Sequence, residues 1–171
     1  MAADPAAMRL AAARAAERQV GVTVHYDPAY VQLKYPGGDV PRDRGVCSDV
    51  VVRAFREIGV DLQRDVHEDM RAHFAAYPNM WHLRGPDANI DHRRVPNLMR
   101  FFERRGKSVR GEFTAGDVVA WRLPGGLYHI GVVAAGRVPS STRPYVVHNI
   151  GRGAQKEDVL NAYEIIGHYR W

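Results

Sequence analysis

A single cysteine in 171 residues is the scarcest feature of this chain, and its scarcity excludes a good deal. A lone thiol closes no intramolecular disulfide and supplies no C-x2-C pair for a structural zinc. No H-E-x-x-H spacing occurs either. His67-Glu68-Asp69 and Asp91-His92 are clusters of a kind common on surfaces, so no metal is expected. No stretch approaches the ~20 apolar residues of a membrane span. The formal net charge is +5, yet the arginines are scattered and no Lys/Arg block appears. The charge therefore reads as a solvated surface, and no nucleic-acid partner is expected. Gly151-Arg-Gly153 follows a strand pattern without opening a helix, so neither a phosphate loop nor a cofactor is expected. Repeats, low-complexity tracts and linkers are missing too. Hydrophobic residues at 46% and charged ones at 25% suit one globular domain with a proper core.

What is present begins with an alanine-rich helix over Met1–Val20, started by Asp4 with Pro5 at its first position. It lacks the continuous apolar core of a secretory signal. The chain is therefore expected to be cytosolic, the mature form of an exported protein, or delivered without a cleavable leader. Residues 1–21 are taken as a helical extension and residues 22–171 as the domain. Val22–Tyr26 alternates like a short strand, and Tyr30–Tyr35 reads as a second extended piece. Helices are expected from Cys47 to Gly59, from Asp61 to Tyr77 and from Pro96 to Arg105. Strands are expected at Val118–Leu123, Tyr128–Ala134, Tyr145–Ile150 and Ile165–Trp171, with a short helical piece near Asp158–Tyr163. Helices first and hairpin-linked strands after indicate an α+β domain, with helices packed on an antiparallel sheet.

Cys47 opens the first of the central helices. Val50, Val51, Ala54, Phe55 and Ile58 recur with a period near 3.6, and Gly59 closes the pattern. A thiol at that position meets unpaired backbone N–H groups and the positive end of the helix dipole, which favour a thiolate. A free cysteine on an apolar stripe is equally the description of an inert core residue. His129 and His148 each sit inside an apolar strand, 19 residues apart, on what should be neighbouring antiparallel strands. A cysteine nucleophile needs a base, and the base needs a third polar group to hold its tautomer. Cys47, His129 and His148 suit those roles, with Asn149 competing for the third. Because side chains alternate along a strand, His148 and Asn149 cannot both face the site. Arg93 and Arg94, in Asn89-Ile-Asp91-His92-Arg93-Arg94-Val-Pro-Asn97, suit either a fork on a substrate carboxylate, one of them oriented by Asp91, or a buried ion-pair network.

Taken together, Tyr26-Asp-Pro-Ala-Tyr30, Tyr35-Pro-Gly-Gly-Asp-Val40, Gly45-Val-Cys47-Ser-Asp49, Val66-His-Glu-Asp-Met70, the Asn89–Asn97 run, Gly116-Asp117, His129-Ile-Gly131 and His148-Asn-Ile-Gly151 resemble the DUF1287 family. That family looks like a branch of the NlpC/P60-type, papain-like superfamily. The resemblance implies a papain-like α+β domain with Cys47 as nucleophile, His129 as base and His148 as the orienting third member. It nominates Tyr26 at the oxyanion or substrate side. Val46 departs from the superfamily habit of an aspartate before the cysteine. The implied activity is cleavage of amide bonds in peptidoglycan stem peptides, with peptidoglycan or its muropeptides as partner and the periplasm or cell envelope as location. Arg93 or Arg94 would read a stem-peptide carboxylate. Acyl transfer or deamidation with the same triad, and a non-catalytic wall-binding module, are the alternatives. A delivered toxin with an immunity protein is a further biological possibility.

Overall fold

Asp4 starts the first helix as its sequence suggests: Oδ1 accepts the Ala6 N–H at 3.0 Å, and Pro5 occupies the first turn, where a missing N–H costs nothing. The computed structural model describes residues 4–171; the part of the expected N-terminal helix that falls on residues 1–3 lies outside the described residues. Helix α1 (Pro5–Glu17) buries Ala12, Ala13, Ala15 and Ala16 against α2 and β4, so its alanine stripe joins the same core as the rest of the chain. Small side chains let this helix approach closely.

Strand β1 (His25–Tyr26) pairs in parallel with β2 (Arg44–Gly45) over two residues only. The longer strand expected at Val22–Tyr26 does not form, and the piece at Tyr30–Tyr35 pairs with no strand. Side chains hold this segment where a backbone ladder was expected. Arg53 grips Asp39 at 2.8 and 3.1 Å and reaches the carbonyls of Val40, Pro41 and Arg44, while Gln63 bonds Gly38 N and Lys34 O. Helix α2 (Cys47–Arg56) carries the central apolar stripe. Helix α3 (Leu62–His73) is capped by Asp61 and runs into a 3-10 turn at Phe74–Ala76. A second 3-10 turn, Asp91–Arg93, leads into α4 (Val95–Arg104).

Five strands then complete the sheet: β3 (Val118–Arg122), β4 (Tyr128–Arg137), β5 (Pro144–His148), β6 (Gln155–Glu157) and β7 (Glu164–Tyr169). Their order is β6-β5-β4-β3-β7, antiparallel throughout. The helical piece expected at Asp158–Tyr163 is absent. Leu160 is drawn under Trp121, whose Nε1–H donates to its carbonyl at 2.9 Å, and that tertiary contact overrides a short helical preference.

The sheet has two differently used faces. Ala120, Ile130, Val132, Ala134 and Val147 pack with α1, α2 and α4 in the main core. Val119, Trp121, Val146 and Leu160 form a smaller cluster on the opposite face. Among the described residues, no helix is long and apolar enough to cross a membrane.

Candidate active site

Val46 takes the cap position of α2 and has no side-chain oxygen to offer, so the helix start is closed from within. Asp49 Oδ2 accepts the Val46 N–H at 2.7 Å, and Ser48 Oγ donates to the Arg93 carbonyl at 2.7 Å. Gly45 makes room for this: a Cβ there would stand 2.9 Å from Asp49 Oδ2. Cys47 is thereby fixed at the first turn, 7% exposed. Burial pushes its thiol up to about 12; backbone N–H groups of Ile130, Ser48 and Cys47 itself offset part of this, while the Asp49 charge adds to it. The resting group is therefore a neutral thiol, where a thiolate at neutral pH was expected.

His129 on β4 and His148 on β5 do meet. Their rings join through His129 Nε2 and His148 Nδ1 at 2.7 Å, and His148 Nε2 lies 3.1 Å from Glu157 Oε1 on β6. Gly131, between them on the same face, permits the approach, since a Cβ there would stand 2.7 Å from Val146 Cγ1 and 3.3 Å from His148 Cβ. Trp121 stacks on the His129 ring at 5.3 Å between centroids. An ionised Glu157 only accepts, so it assigns the proton of His148 to Nε2. A neutral His148 then accepts at Nδ1, His129 donates from Nε2, and Nδ1 of His129 is left with a free lone pair. Burial, with the charge of His148 in support, holds His129 down to about 3, so it is a neutral imidazole. Asn149 has a different task on the other side of the strand. Its Nδ2 reaches the carbonyls of His25 and Gly45, and its Oδ1 accepts from Gly151 and Gly153.

Cys47 and the histidine pair are not joined. The Cys47 thiol accepts the backbone N–H of Ile130, the residue after His129, and lies in the main core, while the His129 and His148 rings pack against Trp121. Among the described residues, no hydrogen bond links the thiol to either ring.

A groove of about 420 Å³ opens over Cys47, with Tyr26, Met80, Trp81, Arg94 and Tyr128 among its walls. Tyr26 is near enough for its hydroxyl pKa to be raised, first by burial and then by charge at Cys47. Arg93 is spent elsewhere. Its side chain is 1% exposed, Nε and Nη2 fork onto Asp49 at 3.0 and 3.1 Å, and Nη1 bonds the Ala29 carbonyl. Of the two roles expected for Arg93 the structure shows the buried ion-pair network: four of its five N–H groups are engaged, so although it borders the groove it has one Nη1–H left and no free fork to offer. Arg94 faces the groove and stacks over Trp81 at 4.0 Å. Asp91 lies behind it, 1% exposed, with its Oδ1 3.8 Å from Arg94 Nη1, and is not itself in contact with the groove. Among the described residues, no three His, Cys, Asp or Glu side chains are grouped to hold a metal ion.

A family model described as a domain of unknown function, DUF1287, matches residues 13–171. The chain belongs to the DUF1287 family. A relative, the uncharacterized protein YijF of Escherichia coli (strain K12), is 58% identical over 167 residues, covering 95% of this chain and 81% of the relative. The fold is similar to the solved structure of NlpC1 from Trichomonas vaginalis, with a TM-score of 0.53 at 12% identity. That match takes in 100% of this chain and 46% of the other, so the chain spans about half the length of that structure. Identity this low speaks for the fold alone: a mixed α+β domain similar to an NlpC/P60 domain.

Two residues of this DUF1287 site escaped the sequence reading. Glu157 lies in Gln155-Lys-Glu157, a strand too short and too polar to show alternation. Trp121 was visible as a strand residue, and the pairing of Val118–Leu123 with the His129 strand was the signal that would have set it beside the imidazole.

Proposed function

We propose that this protein is a cysteine hydrolase of the cell envelope that cleaves amide bonds in peptidoglycan stem peptides, using Cys47, His129 and His148. The observation that carries the reading is the ordered chain Glu157–His148–His129, which leaves a neutral imidazole with its Nδ1 lone pair free, one residue along β4 from the backbone against which the Cys47 thiol packs. In the proposed reaction the Cys47 S–H proton passes to His129 Nδ1 as sulfur attacks the amide carbonyl carbon. The resulting oxyanion is held by helix-start N–H groups, with Tyr26 in support, each donor being worth about 3 kcal/mol. The C–N bond then breaks, His129 returns the proton to the leaving amine, and water cleaves the thioester with His129 as base. Proton transfer requires the thiol and the imidazole to close up when substrate fills the groove, as catalytic contacts often tighten from an unliganded state. Glu157 is a positioning residue in this scheme, acting through His148.

Incubation of sacculi with the protein and with Cys47→Ala tests the reading. New muropeptide ends are expected with the former only, and identical profiles would sink it. A thiol-directed probe adds a second readout: labelling of Cys47 is expected to depend on His129.

The apolar groove walls at Met80, Trp81 and Tyr128 favour one other reading. In it the Cys47 thioester is passed to an amine or hydroxyl acceptor, making the protein an acyltransferase. Product analysis separates the two, since hydrolysis yields a free carboxylate and transfer yields a new amide or ester. If the protein acts in a competitor's envelope, an inhibitor partner in the producing cell follows, and co-purification with the neighbouring gene product tests it.

A further inference from the structure

The Arg94 side chain makes no hydrogen bond. Among the described residues none accepts from any of its five N–H groups, and its Nη1 is buried unpartnered. The nearest carboxylate oxygen, Asp91 Oδ1, stands 3.8 Å away and is itself unpartnered. The side chain is 19% exposed, so little water replaces the missing partners. Its plane is nevertheless fixed by Trp81, over which it lies at 4.0 Å, an arrangement that aims the guanidinium edge instead of letting it wander. Trp81 and Arg94 share the groove with Cys47, whose other walls are mainly apolar. A largely buried, oriented cation whose one charge partner stands beyond hydrogen-bond reach is a poor feature for stability and a good one for recognition. An anionic group entering there gains charge-assisted, bidentate hydrogen bonds that the free protein lacks.

We infer that Arg94, held by Trp81, is the anion-recognition subsite of the Cys47 groove, and that it selects substrates carrying a free carboxylate close to the scissile amide. The inference rests on the hydrolase reading for the identity of the substrate, but its test does not require turnover. The probes are a synthetic stem tetrapeptide with free carboxylates and the same peptide with those carboxylates converted to carboxamides. Binding of both to the Cys47→Ala protein is measured by calorimetry. The acid form is expected to bind at least about tenfold tighter, the ~1.4 kcal/mol of one charge-assisted contact. In Cys47→Ala combined with Arg94→Gln the ratio should collapse to below about twofold, and with Arg94→Lys it should be intermediate, because a point charge cannot fork. Equal binding of the two peptides by Cys47→Ala, including no binding of either at millimolar concentration, overturns the subsite. So does a preference that survives Arg94→Gln. The peptide comparison leaves Arg94 untouched, so it stands even if the Gln variant folds poorly. Turnover by the unmodified protein is read separately. An Arg94-dependent binding preference without cleavage of either peptide would leave the subsite standing and remove the hydrolase reading. Cleavage of both peptides at equal rates would do the reverse.

Discussion

Arg93 and Arg94 are neighbours at the end of one 3-10 turn, and they lead opposite lives. Three residues per turn set successive side chains about 120° apart, so one points inward while the other looks into the groove. Arg93 is enclosed and every nitrogen is used, chiefly on Asp49 of the nucleophile helix. Arg94 has a stacking partner and no acceptor. What distinguishes scaffold from tool here is the supply of partners, since charge and residue type are identical. A buried pair with full hydrogen bonding locks geometry, whereas an unfilled donor set beside a nucleophile stores affinity for something else.

The largest expected effect lies on the scaffold side. Asp49→Ala leaves Arg93 buried without its counter-charge and frees the Val46 N–H at the start of α2. Loss of a buried ion partner costs about 3–5 kcal/mol, so urea unfolding should show a drop of that size. A drop below about 1 kcal/mol would mean that water replaces Asp49 and that Arg93 is no more anchored than Arg94. Asn149→Ala comes next. It strips one buried amide that bridges the β5 end to His25, Gly45, Gly151 and Gly153, and about 2–3 kcal/mol should be lost through stranded backbone groups. Neither substitution touches the histidine pair, so the positions of the His129 and His148 ring signals in the NMR spectrum should survive in whatever fraction remains folded.

A smaller, chemically sharper effect is expected at Glu157. Replacing it by Gln removes the pure acceptor that assigns the proton of His148, because an amide presents a donor as readily as an acceptor. A partner that holds the tautomer of a catalytic histidine matters to rate more than to folding, and Glu157→Gln should reduce turnover by at least about tenfold with little change in melting temperature. The nitrogen-15 signature of His129 is the decisive readout. It should report the Nε2–H tautomer in the parent protein and a mixture in the variant. A His129 that carries its proton on Nδ1 in the parent would refute the relay.

The same division explains what could be read before the structure. Helices α1 to α4 were legible because their burial follows a 3.6-residue rhythm bounded by Asp4, Asp61 and glycine stops, and β3, β4 and β5 because their apolar runs sit between turn residues. The meeting of His129 and His148 followed from strand alternation and an antiparallel neighbour. The split between Arg93 and Arg94 did not, because it depends on a three-residue turn that periodicity cannot register. How the segment around Tyr30–Tyr35 and the turn after it is held was not legible, because its order comes from Arg53 and Gln63, whose reach across 9 to 29 residues leaves no local pattern. Cys47 is the mixed case. Its place at a helix start was legible; its protonation was not, because burial outweighs the N–H groups that favour a thiolate.

The smallest effect tests whether Arg94 is truly unclaimed by its one neighbour. If Asp91 and Arg94 formed a closed pair, the carboxyl would titrate well below its usual range. Instead burial holds Asp91 up, to about 6 against 3.8, with Arg94 offsetting only part of this. Burial also holds His129 down to about 3 and His92 to about 4, against 6.5. Between pH 6 and 4 the unfolded chain holds up to two protons on these imidazoles that the folded chain largely refuses. The folded chain holds up to one on Asp91 that the unfolded chain takes up only near 3.8. The balance, two minus one, is one more proton on the unfolded side, so these three groups should cost about 1.4 kcal/mol of stability per pH unit on acidification. Asp91→Asn removes the folded-state uptake and should steepen the fall by a further ~1.4 kcal/mol per unit, measured as urea midpoints across that window. The contributions of all other groups cancel in the difference between the two proteins. A shallower slope in the variant would mean that Asp91 is ionised throughout and paired with Arg94, and Arg94 would then be scaffold like Arg93.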